Sequence, residues 1–401
     1  MLFGDVIGQD TLKRDLLSML SQNRLSHALL FLGNEGTGAL PLALAFANFI
    51  LLPKETKTSG TDLFGEAVAT PFISPASPED SDQWMQKQPG FAKLSSLVHP
   101  DFHFSYPVIK KEKVDKPRSA DFAAEWREFL TQQPYSNLFN WLQFIKAENK
   151  QGNISAEECN EIVRKMNLKS FEGGMKILLM WMPEALGKEG NKLLKLIEEP
   201  PPHTLFLLVA ENENKILPTI LSRTQLIRVP PLKETEISKA LVDKGLVNEL
   251  EAARIASFSR GNLLEAFIQA QQSENNYDFE LKNWLNSIAQ SKLESQVKWI
   301  EEMAKKGREN QKQFLQFFIH VIELAVRFEY ISTGNDTAGR TDIEMAVRLN
   351  KICGMAEKEA MVHLLNQAIY YIERNANPKL LFHALTIKLY HIIRNKSLIL
   401  V

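Results

Sequence analysis

Apolar residues recur along this chain with two different periods, and the change from one to the other divides it. Leu12, Leu16, Leu17 and Leu20 repeat at helical spacing, and a polar turn over 21–24 ends that helix. The continuous run 27–32 predicts a strand buried on both faces. Pro41 then falls in the first turn of an apolar helix, where a missing N–H costs little. Residues 53–98, rich in Pro, Ser, Thr and Asp, read as a surface insertion of weak structure. His99, Pro100 and Asp101 open a strand over 102–109, and a second insertion follows at about 110–150. Within it, Trp126, Phe129, Trp141 and Phe144 keep helical spacing, the pattern of one or two helices laid on a core.

Residues 176–182 and 204–209 read as further buried strands. Between them a helix over 190–199 is stopped by Pro200, Pro201 and Pro202. A short helix over 216–223 carries Pro218 early, and 226–229 closes the sheet. Strands alternating with helices predict a parallel sheet covered on both faces, ending near Pro231. From Glu234 the strand signal stops. Residues 234–272 read as short amphipathic helices around a turn at 259–262. The chain from 275 to 401 is helical throughout, with Asn377 and Pro378 as N-cap and first-turn residues of a helix over 379–394.

Composition narrows the function classes. The 401 residues predict two or three domains, and 44% hydrophobic residues suffice for sizeable cores. Lys and Arg total 47 against 48 Asp and Glu, so no global field draws the chain to nucleic acid and any DNA contact must be local. The basic run Lys110, Lys111, Lys113, Lys116 and Arg118 is interleaved with Glu112 and Asp115. It reads as a solvated loop or as such a local contact. Cys159 and Cys353 are too few for a disulfide framework or a thiolate zinc site, which suits a reducing cytoplasm. The first residues lack the basic end and apolar core of a signal peptide. The longest apolar run, 42–52, includes Asn48 and is too short to span a bilayer. A cytoplasmic protein without a membrane role is expected.

The candidate chemistry begins at Gly33-Asn34-Glu35-Gly36-Thr37-Gly38-Ala39-Leu40, which follows the apolar run and leads into a helix. A phosphate-binding loop spaced G-x-x-x-x-G-K-[ST] wraps phosphates in backbone N–H groups, sets a Lys against them and holds Mg²⁺ with a hydroxyl. Ala39 and Leu40 stand where the Lys and hydroxyl belong. Charge-assisted hydrogen bonds contribute about 1.5–3 kcal/mol each, so hydrolysis and most triphosphate affinity should be lost. A plain Gly-rich turn between strand and helix is the other reading of the segment.

Three further stretches are specific together: Phe3-Gly-Asp-Val-Ile-Gly-Gln9, Asn191-Lys-Leu-Leu-Lys-Leu-Ile-Glu-Glu-Pro200-Pro201 and Leu217-Pro-Thr-Ile-Leu-Ser-Arg223. They resemble the clamp-loader branch of the AAA+ ATPases. A broken glycine loop beside an intact Ser222-Arg223 pair is similar to the delta prime subunits of bacterial DNA polymerase III clamp loaders. The resemblance covers 1–52, 99–102 and 172–273, the terminal helices by general pattern, and the two insertions not at all. It implies an α/β AAA+ core over 1–231, a small helical lid over 232–273 and an all-α collar over 275–401 that oligomerises.

The resemblance also assigns roles. An acidic Asp-Glu motif that holds Mg²⁺ and polarises water would fall on Trp181 and Met182, and an indole and a thioether do neither. Alone, both would read as core residues. In the lid, relatives with active sites carry an Arg where Leu264 stands. Arg223, with Ser222 as its motif partner, is the exception. Such an arginine reaches the γ-phosphate of the adjacent subunit in a ring, and an arginine finger is worth about 10³–10⁵ in rate. A surface or salt-bridged Arg is the bland alternative. Thr224 departs from the family's usual Cys, a packing-neutral change. The family's four-cysteine zinc module has no counterpart in 53–98, and Pro100 argues against His99 and His103 sharing a metal from a helix. Neither zinc nor any other cofactor is expected.

The implied function is architectural. A non-hydrolysing subunit sits in a heteropentamer with ATPase (gamma/tau-type) and delta-type subunits, lends Arg223 outward, and meets the sliding clamp and primer–template DNA through the assembled complex. Lys195 is a candidate phosphate contact or an ordinary solvated residue. Two other classes stand beside this reading: a working ATPase of the same loader, opposed by Ala39, Trp181 and Met182, and a DNA-binding adaptor outside clamp loading, favoured only by the basic run at 110–118.

Overall fold

Every residue of Ala28–Leu32 is buried, and alternate side chains enter two different cores, which places this strand (β1) at the centre of a sheet covered on both sides. Leu29 and Phe31 join the core on one face, and Ala28, Leu30 and Leu32 join the other. The computed structural model describes residues 1–52, 58–61, 67–69, 77–110, 117–147, 150–172, 174–271, 277–290, 293–330, 341–374 and 376–395. Two compact units result, Met1–Gln271 and Gln272–Val401.

In the first unit, α1 (Asp10–Ser21) precedes β1, and α2 (Ala39–Leu51), buried along its whole length, follows it. A short antiparallel ribbon pairs β2 (Thr58–Thr61) with β3 (Ala67–Ala69). Helices α3 (Pro78–Gln86) and α4 (Phe91–Ser95) lead to β4 (Phe102–Ser105), and α5 (Ala123–Gln132), α6 (Leu138–Phe144) and α7 (Ala156–Asn167) lead to β5 (Lys176–Trp181). Next come α8 (Leu194–Glu198), β6 (Thr204–Ala210), α9 (Pro218–Leu221) and β7 (Gln225–Arg228). The strand order is β4-β5-β6-β1-β7, all parallel, with β1 between β6 and β7. Helices α10 (Glu234–Asp243), α11 (Glu249–Ser259) and α12 (Leu263–Gln271) then pack on one another around Ile237, Leu241, Ile255 and Leu263.

The described elements of the second unit are all helices: α13 (Tyr277–Ala289), α14 (Leu293–Lys305), α15 (Arg308–Tyr330), α16 (Thr341–Ile352), α17 (Met355–Glu373) and α18 (Pro378–Asn395). Trp284 and Trp299 stack face to face at 4.5 Å in its core, and the Trp284 indole N–H donates to Thr386 Oγ1 at 3.0 Å. The α/β class and the helical C-terminal part are therefore both as expected. No helix among the described residues is long and apolar enough to cross a membrane.

Several elements differ from the sequence reading. The described end of 53–98 is not weak structure. The Ser77 hydroxyl accepts from Asp80 N, Pro78 sits at the start of α3, and Met85 and Leu94 bury into the main core. Asp82 accepts from Phe3 N at 2.8 Å and Gly4 N at 2.6 Å, so this insertion fastens the N-terminus. Residues 53–57, 62–66 and 70–76 of that reading, and 111–116 of the basic run, lie outside the described residues. β4 stops at Ser105 rather than 109, because Tyr106 N turns to Ser119 Oγ and Pro107 follows. The helix expected over 190–199 is α-helical only in α8, after a 3₁₀ stretch, Pro183–Leu193. Helix α7 had no counterpart in the sequence reading, although Ser155 caps it, Glu157 and Glu158 open it and Arg164 and Lys165 close it.

Candidate functional site

The glycine loop leaves the C-terminal end of β1 between β6 and β7, so backbone and helix N-terminus stand where a phosphate site would be built. Gly33 N donates to Ala210 O at 3.1 Å, and the Thr37 hydroxyl turns back onto Asn34 O at 2.7 Å. Two of its glycines are required for packing. Gly36 has φ +71, and a Cβ there would sit 1.9 Å from Asn262 Oδ1; Gly38 has φ +89, and a Cβ there would meet the Tyr135 ring at 3.1 Å. Other side chains thus occupy the space above both glycines.

Those side chains come from the second insertion and the segment after the sheet. Tyr135, in the turn between α5 and α6, rests on Gly38 and accepts from Ile7 N at 2.7 Å. Burial pushes its phenol pKa well up, so it stays neutral. Gly36 O accepts from Leu263 N at 3.1 Å, and Asn262 Nδ2 lies 3.4 Å from Glu35 Oε1. Trp181, at the end of β5, packs against Trp126 at 5.2 Å and Phe129 at 6.3 Å, so the place of a metal-holding carboxylate belongs to an aromatic cluster. A cavity of about 30 Å³ remains. That is room for about one water molecule.

The structure brings Gly33, Gly36, Gly38, Ala39, Leu40 and Trp181 together around that cavity. Among the described residues lining it, the charged side chains are Glu35 and Glu211, both acidic. Met182 is buried just beyond β5 in a left-handed conformation, φ 58, with its N–H donating to Val209 O. Leu264 is 8% exposed within α12, so it presents no polar group to a phosphate. The residues present do not fit Mg·ATP: they supply neither cation, hydroxyl nor carboxylate at the needed places, and too little space.

Ser222 and Arg223 lie elsewhere. The register pairs Gln225 with Leu29 and Arg228 with Leu32, so the chain leaves Arg223 before the start of β7, whereas the glycine loop begins after the end of β1. Four residues at about 3.3 Å each separate those levels by about 13 Å before any turn is added. The Arg223 side chain is 31% exposed and forms an ion pair with Glu198 at the end of α8. Its Nη1 donates to Thr219 O at 2.8 Å and Ser222 Oγ at 3.1 Å. The guanidinium is thus at the surface, paired with Glu198 and oriented by Thr219 O and Ser222 Oγ.

Sequence reasoning missed Tyr135, Gln9 and Glu198. Gln9 Nε2 donates to Thr37 O at 3.0 Å and Pro230 O at 2.7 Å, tying the loop to the segment that leaves the sheet. Glu198 stood inside a recognised stretch, but only the fold sets it beside Arg223. His99 Nε2 lies 3.2 Å from Glu172 Oε2, and its Nδ1 accepts from Asp101 N. His103 is held neutral, its pKa lowered to about 4 by burial and then by Lys165 and Lys176. Among the described residues, no three His, Cys, Asp or Glu side chains group as metal ligands.

Residues 92–233 match the family model described as DNA polymerase III, delta subunit. That stretch includes Trp181, Met182 and Arg223 but not the glycine loop. The delta' subunit of DNA polymerase III from Bacillus subtilis (strain 168) is 23% identical over 263 residues, 65% of this chain and 58% of that protein. The tau/gamma subunit of Haemophilus influenzae is 24% identical over 240 residues, 60% of this chain and 25% of that protein. A gamma subunit-related protein of Thermotoga maritima superposes over 95% of this chain and 100% of its own, with 16% identity and a TM-score of 0.35. The chain thus spans between a quarter and three-fifths of the length of these curated relatives.

Proposed function

We propose that this chain, which belongs to the clamp-loader family of DNA polymerase III subunits, is a non-hydrolysing, delta prime-type member that lends Arg223 to a neighbouring ATPase. The observation that carries the proposal is the separation of its two candidate sites. Its own loop is overlain by Tyr135 and lacks the cation, hydroxyl and carboxylate that hold Mg·ATP, while Arg223 lies half-buried at the surface beyond the other end of the sheet, out of reach of that loop. A guanidinium so placed acts on a phosphate carried by another molecule. Its planar fork suits two phosphate oxygens and would neutralise the charge that develops as the γ-phosphoryl group transfers. Ser222 accepts from Nη1 and helps to aim it.

The remaining roles follow from the same reading. The chain divides into an AAA+ core over 1–231, a lid over 232–273 and a collar over 275–401 that joins a cytoplasmic heteropentamer with gamma/tau-type and delta-type subunits. Exposed apolar residues in the second unit support the collar role: Val347, Ile352, Met355, Leu380 and Ile387 are between 42% and 71% exposed. The core stays fixed while the partners cycle, as a stator against which the clamp is opened and loaded on primed DNA. DNA is met through phosphates in the assembled ring, with Lys195 as one candidate contact.

The test is reconstitution with the ATPase and delta-type subunits. Arg223→Ala is expected to assemble normally and to lower clamp- and DNA-stimulated ATP turnover at the adjacent site by about 10³-fold, the lower range for an arginine finger. Turnover equal to wild type in an intact assembly rejects the assignment.

A further inference from the structure

We propose that Tyr135 is an internal ligand of the glycine-loop cavity: its phenol ring takes the space of a bound molecule and holds the helices α10–α12 against the glycine loop. Four segments meet on this one side chain. The inserted turn delivers it, Gly38 lies under its ring, Ile7 N donates to its hydroxyl, and its ring belongs to the apolar cluster of Leu232, Ile237 and Leu263. Tyr135 is 7% exposed. An aromatic side chain so buried removes about 150–250 Å² from water, and here that burial is shared between the sheet unit's loop and the helices that follow it.

Chemistry and shape select a neutral aromatic for this place. The charged lining is Glu35 and Glu211, which disfavours an anion, and burial keeps the phenol protonated. The ring fits because residue 38 is Gly, whose added Cβ would meet it at 3.1 Å. A backbone hydrogen bond closes the same seam, Leu263 N to Gly36 O at 3.1 Å. A side chain that fills the cavity and bridges loop to helices makes their association independent of any diffusible ligand. Arg223 plays no part in this contact.

The test is hydrogen exchange on the full chain. Tyr135→Ala is expected to accelerate exchange in α10–α12 and in residues 36–40 by about tenfold or more, leaving β5 and β6 unchanged. Millimolar p-cresol, which carries the lost ring and hydroxyl, should restore protection, as small aromatics fill cavities left by truncation. Unchanged exchange in α10–α12 overturns the proposal. So does acceleration that p-cresol leaves uncorrected, since Tyr135 would then be an ordinary core residue. Should Tyr135→Ala fail to fold, Tyr135→Phe decides. Retained protection in α10–α12 with faster exchange at Ile7 alone supports the ring as the wedge, and their release overturns it.

Discussion

Replacing Ala39 by Lys and Leu40 by Thr puts back the two side chains that a working phosphate loop carries, and it separates a site that lacks chemistry from one that lacks room. If those groups alone limited affinity, an ammonium and a metal-holding hydroxyl at about 1.5–3 kcal/mol each would tighten ATP binding by about 10²–10⁴-fold. Three features oppose that gain. The cavity holds about 30 Å³, where small-molecule sites run to about 300 Å³ or more. Glu35 and Glu211 line it and repel a polyphosphate. Trp181 stands in an aromatic cluster where the metal needs a carboxylate. The double variant Ala39→Lys/Leu40→Thr should therefore gain less than about tenfold in affinity for a fluorescent ATP analogue and stay near or above a millimolar Kd, about −4 kcal/mol. No Mg-dependent turnover should appear. A gain of about 100-fold with Tyr135 in place would refute the reasoning, because two side chains would then have been all that the site lacked.

Other outcomes test neighbouring claims. Glu198→Gln removes an exposed ion-pair partner worth about 0–1 kcal/mol, so stability should change little and turnover in the reconstituted loader should hold or rise by up to about fivefold. A fall like that of Arg223→Ala would mean that Glu198 positions the guanidinium rather than parks it. His103 has a folded pKa of about 4 against 6.5 unfolded, so the unfolded chain binds the extra proton between those values. Stability should then rise with pH through that window and be lost as pH falls through it, by at most about 3 kcal/mol. His103→Gln should flatten this part of the pH profile in urea titrations; Glu158, whose folded pKa is raised by burial, acts in the opposite sense and is unchanged between the two proteins. Asp82→Ala removes the acceptor of Phe3 N, which is buried, and of Gly4 N, which water can reach, and should cost about 1–3 kcal/mol with faster exchange at both amides. Protection unchanged at residues 3 and 4 would contradict the anchoring role of α3.

The strands and the long helices were legible because their signals are local. Residues 28–32, 177–181 and 205–210 are unbroken apolar runs, and Asn377 with Pro378 marks the start of α18 by capping chemistry alone. Ala39 and Leu40 were read as departures from a known loop spacing, and Trp181 and Leu264 as departures from what the family resemblance implies. Short insert helices were not, because α3 and α4 are too short to repeat an apolar period, and α7 is a mostly polar sequence with one buried stripe of Cys159, Ile162 and Met166.

The sequence by itself determined where the buried strands and the long helices form and which residues stand at the glycine loop, since propensity, apolar spacing and residue identity belong to the chain. Only the tertiary structure decided what fills the cavity and where the arginine faces. Tyr135 reaches Gly38 from 97 residues away along the chain, and Glu198 reaches Arg223 across 25. Those pairings depend on how the parallel sheet orders its strands and on which turn the insertion offers to the loop, and no local pattern of residues encodes either.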